Sequence, residues 1–189
     1  MIPDIPRASW HDHPHYPEQT LLLGSHEAFR NQSSYILEAL GSLDPADQGE
    51  RRKRERWVRR MSRTFHWWMS GMRGHERYEE TKLYPYLQRR YDHAFDLLED
   101  GHVHLNERKQ FVTRAFDLVV VGDPDEAVYL EDLIGGLKAH RDTLLEHLAL
   151  EEDTVIPMLL ALPPEEFRRY ALNPISVLLP PSPQGDQAE

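Results

Sequence analysis

A chain of 189 residues and 22.2 kDa holds one domain of ordinary size with tails, not two large ones. Hydrophobic residues make up 40%, enough for a core, while 22 Lys+Arg against 32 Asp+Glu leave a net charge of -10, which argues against nucleic acid or an anionic membrane as partner. Cysteine is absent and histidine occurs eleven times, so disulfides, iron–sulfur clusters and thiolate sites are excluded and any metal must be held by imidazole and carboxylate.

The elements follow in chain order. Residues 1–17 carry Pro3, Pro6, Pro14 and Pro17, which deny helix and predict an extended N-terminal arm. Leu22, Phe29, Ile36 and Leu40 recur at helical spacing, predicting a first helix over 18–40 that stops at Gly41-Ser42. A polar connector leads to a second helix over 50–85. A third is predicted over 91–121, ending at Gly122-Asp123-Pro124, and a fourth over 125–162, ending at Pro163-Pro164. A short helix over 165–172 precedes a Pro-rich tail, 173–189, read as extended or disordered. The expected architecture is an all-α, up-down-up-down four-helix bundle over 18–172. The longest apolar stretches, such as 155–162, are too short to span a bilayer, and the opening residues resemble no targeting signal, so a cytoplasmic location is expected.

Helices 2 and 4 share an internal repeat, H-x-x-x-E-E-x-x-Φ-Φ-P-Φ-L. It runs from His75 through Glu79, Glu80 and Pro85, and again from His147 through Glu151, Glu152 and Pro157. One match to the His, paired Glu and Pro arises by chance in about one such chain in a hundred, so two in register mark a repeat. Residues i and i+4 lie one turn apart on one face, so each helix presents an imidazole and a carboxylate together. Met72 and Leu144, each three residues before its His, turn that face inward. Two buried carboxylates need a compensating charge, which a pair of cations supplies.

Helices 1 and 3 match each other as well. Around His26 the offsets -4, +3, +10 and +14 are Leu22, Phe29, Ile36 and Leu40; around His102 they are Leu98, Leu105, Val112 and Phe116. His104 lies about 200° from His102 and three of its four matching offsets, Asp100, Glu107 and Arg114, are charged, with only Leu118 apolar, so it is set aside. The predicted site is therefore His26, His75, Glu79, His102, His147 and Glu151, with both Glu side chains bridging two metal ions; iron, manganese and zinc all suit the ligands.

This pattern, H…HxxxE…H…HxxxE with a Pro after each second motif, resembles the hemerythrin-like family, or HHE cation-binding domain, over residues 20–162. The resemblance implies a four-helix bundle around two non-haem iron ions, binding or sensing oxygen or another small diatomic ligand, or handling iron. The oxygen carriers of that family place two His four apart on helix 3 and end helix 4 with an Asp ligand. Here His104 is misplaced and helix 4 offers Glu151, so a dedicated carrier is not expected; a fifth ligand could come from His140, Tyr78 or Glu76.

The remaining features receive plainer readings. Glu80 and Glu152 point off the ligand direction and are expected to be solvated or to support the ligands. His66, beside Trp67 and Trp68, is read as packing, as are Trp57, Phe111 and Phe116. His11, His13 and His15 belong to a loop, and the eight basic residues within 51–63 to a solvated helix start. The alternative function is a di-iron oxidoreductase of peroxidase or ferroxidase type; a metal-free interaction bundle would bury four His and two Glu without compensation. No protein partner is implied.

Overall fold

The computed structural model describes residues 1–169, and no strand occurs among them. The chain is an all-α bundle. Its four long runs are α1 (Leu22–Gly41), α2 (Arg51–Tyr78), α4 (Asp96–Leu118) and α5 (Glu126–Leu160). After α2 the helix continues through a π-helical turn, Glu79–Leu83, into α3 (Tyr84–Tyr91), and a short α6 (Pro164–Arg169) follows α5. Helix α1 packs on α2 and α5, and α4 packs on the same two, so the four close into a ring. The tail expected at 173–189 and the last residues of the helix expected at 165–172 lie outside the described residues.

The boundaries differ from expectation where local chemistry intervenes. Residues 18–20 form a 3-10 turn, and α1 proper begins at Leu22. Residue 91 closes α3 instead of opening the next helix, because Asp92 adopts the left-handed conformation (φ 50°), which Asp tolerates better than most residues. Val119 is extended, so α4 stops three residues before the predicted 121. The π turn lies just before Pro85. That residue lacks an N–H, and its ring crowds the carbonyl four residues back in a regular helix; within the turn the Tyr84 N–H bonds to the Glu79 carbonyl. Pro157, the repeat counterpart, sits within an uninterrupted α5.

The residues 1–17 contain no α-helix, as their prolines dictate, but they take a 3-10 turn at Arg7–Asp12 and pack. Trp10 is buried and donates Nε1–H to the Ile5 carbonyl, while His15 Nδ1 bonds the Leu160 carbonyl. Among the aromatics, Trp68 and Phe116 are core and Trp57 is partly buried, but Trp67 and Phe111 are exposed, correcting their reading as packing residues. His66 is exposed too, its Nδ1 on the Ser62 carbonyl. Of the basic run, Arg54 alone is buried: its Nε donates to Glu126 Oε1 at 2.8 Å, tying the start of α2 to the start of α5.

Buried positions follow the helical period. In α2 they include Val58, Met61, Phe65, Trp68, Met72 and His75; in α1, Leu22, His26, Phe29, Ser33, Ile36 and Leu40. The histidines thus continue an apolar stripe. They also fall at one level. Phe29, Met72, Leu105 and Leu144 belong to one apolar cluster, and Leu22, Tyr78, Leu98 and Val155 to a second. Between them each long helix inserts its polar residues: His26, His75 with Glu79, His102, and His147 with Glu151. A polar layer sealed on both sides by hydrocarbon is where electrostatic interactions are strongest and unpaired groups cost most.

Candidate metal centre

All six predicted residues are buried, and the fold brings their side chains into that layer. Ligand atoms of His26, His75, Glu79 and Glu151 lie within 4.8 Å of one another. The imidazoles form two pairs, His26 with His75 (ring centroids 5.3 Å apart) and His102 with His147 (4.7 Å). Glu79 spans the pairs: Oε1 is 2.6 Å from His75 Nε2 and Oε2 is 3.4 Å from His102 Nε2. Glu151 Oε2 lies 3.3 Å from His26 Nε2 and 3.8 Å from His147 Nε2.

These approaches are close but poorly aligned for hydrogen bonding. His26 Nε2, both nitrogens of His75, both oxygens of Glu79, His102 Nε2 and Glu151 Oε2 have no hydrogen-bond partner among the described residues. Buried polar groups are normally satisfied, and each that is not costs about 1–3 kcal/mol. Converging nitrogen and carboxylate lone pairs that do not satisfy one another fit a cation between them. The donor set, four imidazoles and two carboxylates, suits iron, manganese or zinc.

The electrostatics of the layer differ from group to group. Burial pushes the Glu151 carboxyl up, and the charge of Glu79 adds to the push. Burial works likewise on Glu79, but the His75 charge, with the close approach of the His102 and His75 Nε2 atoms, outweighs it and holds that carboxyl well below its ordinary value. Burial, with His102 nearby, lowers His147 to about 3, leaving a neutral imidazole. His26 and His102 are each raised to about 9, because neighbouring carboxylates outweigh the burial that opposes protonation.

The second Glu of each repeat orients a His on a different helix. Glu152 Oε1 receives His26 Nδ1 at 3.0 Å, and Glu80 Oε1 receives His102 Nδ1 at 2.8 Å. Glu80 is partly exposed, whereas Glu152 is buried and is also held by Arg30 Nη2 (2.8 Å) and Arg7 Nη1 (3.1 Å). With each Nδ1 so engaged, Nε2 is aimed at the centre.

The family model for the hemerythrin HHE cation binding domain matches residues 19–159, from the 3-10 turn just before α1 almost to the end of α5. The chain belongs to this family. No curated protein and no solved structure matches it.

Other parts of this HHE domain were not legible in the residue spacing. Tyr84 Oη donates to Glu151 Oε1 at 2.9 Å, its ring stacked on Phe95 at 4.7 Å; the π turn aims it there. Gly101 is a second case, since a Cβ at this position would stand 2.4 Å from His147 Nδ1. Of the fifth-ligand candidates, Tyr78 is buried with an unpartnered hydroxyl, Glu76 is half-buried beside His75, and His140 lies away from the cluster against Phe65 and Trp68. His104 is exposed beside Glu107, and His11 and His13 are rings of the N-terminal segment.

Two variants test this packing. Glu152→Gln is expected to weaken metal affinity about 10- to 100-fold by loosening His26, read by competition with a chelator of known affinity. Gly101→Ala is expected to cost about 1–3 kcal/mol in thermal unfolding by displacing the His147 ring. Gly24→Ala, where nothing lies within 4 Å, is its control and should stabilise the helix by about 0.5–1 kcal/mol.

Proposed function

We propose that the chain binds two iron ions through His26, His75, Glu79, His102, His147 and Glu151, and that it binds or senses oxygen or another small diatomic ligand there or handles the iron itself. The observation that carries this reading is Glu79, which directs one oxygen to each imidazole pair while neither oxygen has a hydrogen-bond partner among the described residues. A carboxylate so placed is positioned to bridge. Ferrous ions held there supply electrons and coordination positions for the incoming ligand. The chain's own residues do the rest. Phe29, Met72, Leu105, Leu144 and Leu148 line the centre and exclude bulk water, and Glu80 and Glu152 hold His102 and His26 in orientation.

The Tyr84 hydroxyl stays protonated and donates to Glu151 Oε1, since burial first, and the Glu151 charge second, raise its pKa well above normal. The second reading of the same centre is an oxidoreductase of peroxidase or ferroxidase type.

The test is metal content per chain after expression with iron, followed by visible spectra of the reduced protein before and after air is admitted. About two irons per chain are expected, as for other bundle-centred carboxylate sites, with oxygen-dependent charge-transfer bands. A folded bundle that takes up no metal would overturn the reading. Catalytic consumption of peroxide or ferrous iron would favour the second reading over the first.

A further inference from the structure

A cavity of about 210 Å³ lies between α2 and α4, on the far side of His102 from the centre. It has room for several water molecules, a volume suited to a small metabolite. Its walls are apolar where Met69 and Leu105 face it, but its ends differ in charge. At one end stands Glu80, bonded to His102 Nδ1. Arg73 and Lys109 line the cavity about 10 Å from the level of Glu80 and His102, seven residues along each helix, with Glu76 between, three residues from Arg73. Neither Arg73 nor Lys109 has an ion-pair partner among the described residues.

His140, from α5, lines the cavity as well. It is 1% exposed, and neither ring nitrogen has a hydrogen-bond partner among the described residues. Phe65 and Trp68 pack edge-on against the ring at 5.8 and 5.4 Å and supply no acceptor. A wholly buried imidazole with two unsatisfied nitrogens needs a polar partner, and the cavity is where one can sit. Burial, with Lys109 beside it, lowers its pKa to about 4, so the ring is neutral and offers one donor and one acceptor.

We propose that this cavity binds a small carboxylate bearing a hydroxyl or amino group, with its carboxylate on Arg73, Lys109 and His140 and its donor end toward Glu76 and Glu80. Opposite charges at the two ends select a ligand that is an acceptor at one end and a donor at the other. The site does not use the metal ligands' converging atoms, so it stands or falls separately from the metal reading.

The experiment is calorimetric titration of metal-loaded, full-length protein with lactate and glycine, with propionate and chloride as comparators and metal content measured on each sample. Saturable one-to-one binding of lactate or glycine is expected, with propionate at least about tenfold weaker, the loss of one hydrogen bond to a charged group. Lys109→Met, a partly exposed position whose loss leaves the fold intact, should weaken binding by a similar factor, as should Arg73→Met and His140→Phe. Metal content should not change. Absence of saturable binding, affinity unaltered in Lys109→Met, or equal affinity for propionate would each overturn the proposal. Lactate bound by protein that takes up no metal would support it and count only against the metal reading.

Discussion

Glu79→Gln and Glu151→Gln are each expected to lower bound iron from about two ions per chain to a small fraction of one. Each carboxylate faces imidazoles from two helices, so losing its charge affects both halves of the centre together. The melting temperatures carry a sharper expectation. With metal present the natural protein should melt higher, because a ligand bound only to the folded state adds stability; at a thousandfold excess over Kd the gain is about 4 kcal/mol. After chelation the order should reverse. The chelated natural protein then bears at Glu151 a buried carboxylate that burial and the Glu79 charge both disfavour, and Glu151→Gln removes that charge while its amide oxygen still accepts from Tyr84. Relief of about 1 kcal/mol corresponds to roughly 2–4 °C in a protein of this size. Calorimetric scans of both proteins, with and without chelator, make the comparison; a chelated variant that melts below its chelated parent would contradict a centre built for cations.

The second large effect is expected far from the centre, at Arg54. Its guanidinium is 1% exposed, bonds Glu126 Oε1 at 2.8 Å and Oε2 at 3.3 Å, and also donates to the Asp47 carbonyl. Glu126 Oε2 in turn accepts from the Gly122 N–H at 2.7 Å, which fastens the turn before α5. Arg54→Met leaves Glu126 buried without its cation and is expected to cost about 3 kcal/mol, or roughly 6–12 °C. Metal bound per folded chain should be unchanged. Burial raises the Glu126 carboxyl, but the Arg54 hydrogen bond and the Gly122 N–H outweigh it and leave its pKa below normal. A depressed pKa means that the unfolded chain takes up the proton more readily. The stabilisation is therefore complete above the ordinary carboxylate pKa and is lost as pH falls through the folded value. The difference between parent and Arg54→Met should accordingly narrow below about pH 4.

How much of this was legible in the sequence depended on whether a residue acts through periodicity. His26, His75, His102 and His147 occupy core positions of amphipathic helices, so apolar neighbours three and four residues away betray their direction. The matched repeats pointed to Glu79 and Glu151 for the same reason. Glu152 was harder: one residue past a ligand, an ideal helix turns it away, and only the approach of His26, Arg30 and Arg7 from other segments makes its position a buried one. Arg54 was hidden among solvated basic neighbours because its partner lies 72 residues away. Gly101 carries no side chain to read, and its importance lies in the space it leaves to His147. Tyr84 was out of reach because the π turn changes the helical phase just before it.

That turn also breaks the likeness of the two repeats. Position for position, Tyr84 corresponds to Ile156, yet Tyr84 reaches Glu151 with its hydroxyl while Ile156 is buried in an apolar cluster. Glu151 therefore has a neutral proton donor on one oxygen, and Glu79 has none among the described residues. Both imidazole pairs face both carboxylates, yet the two carboxylates differ in basicity, although the motifs that supply them read alike. Tyr84→Phe should make Glu151 the stronger donor and raise metal affinity, read by competition with a chelator of known affinity.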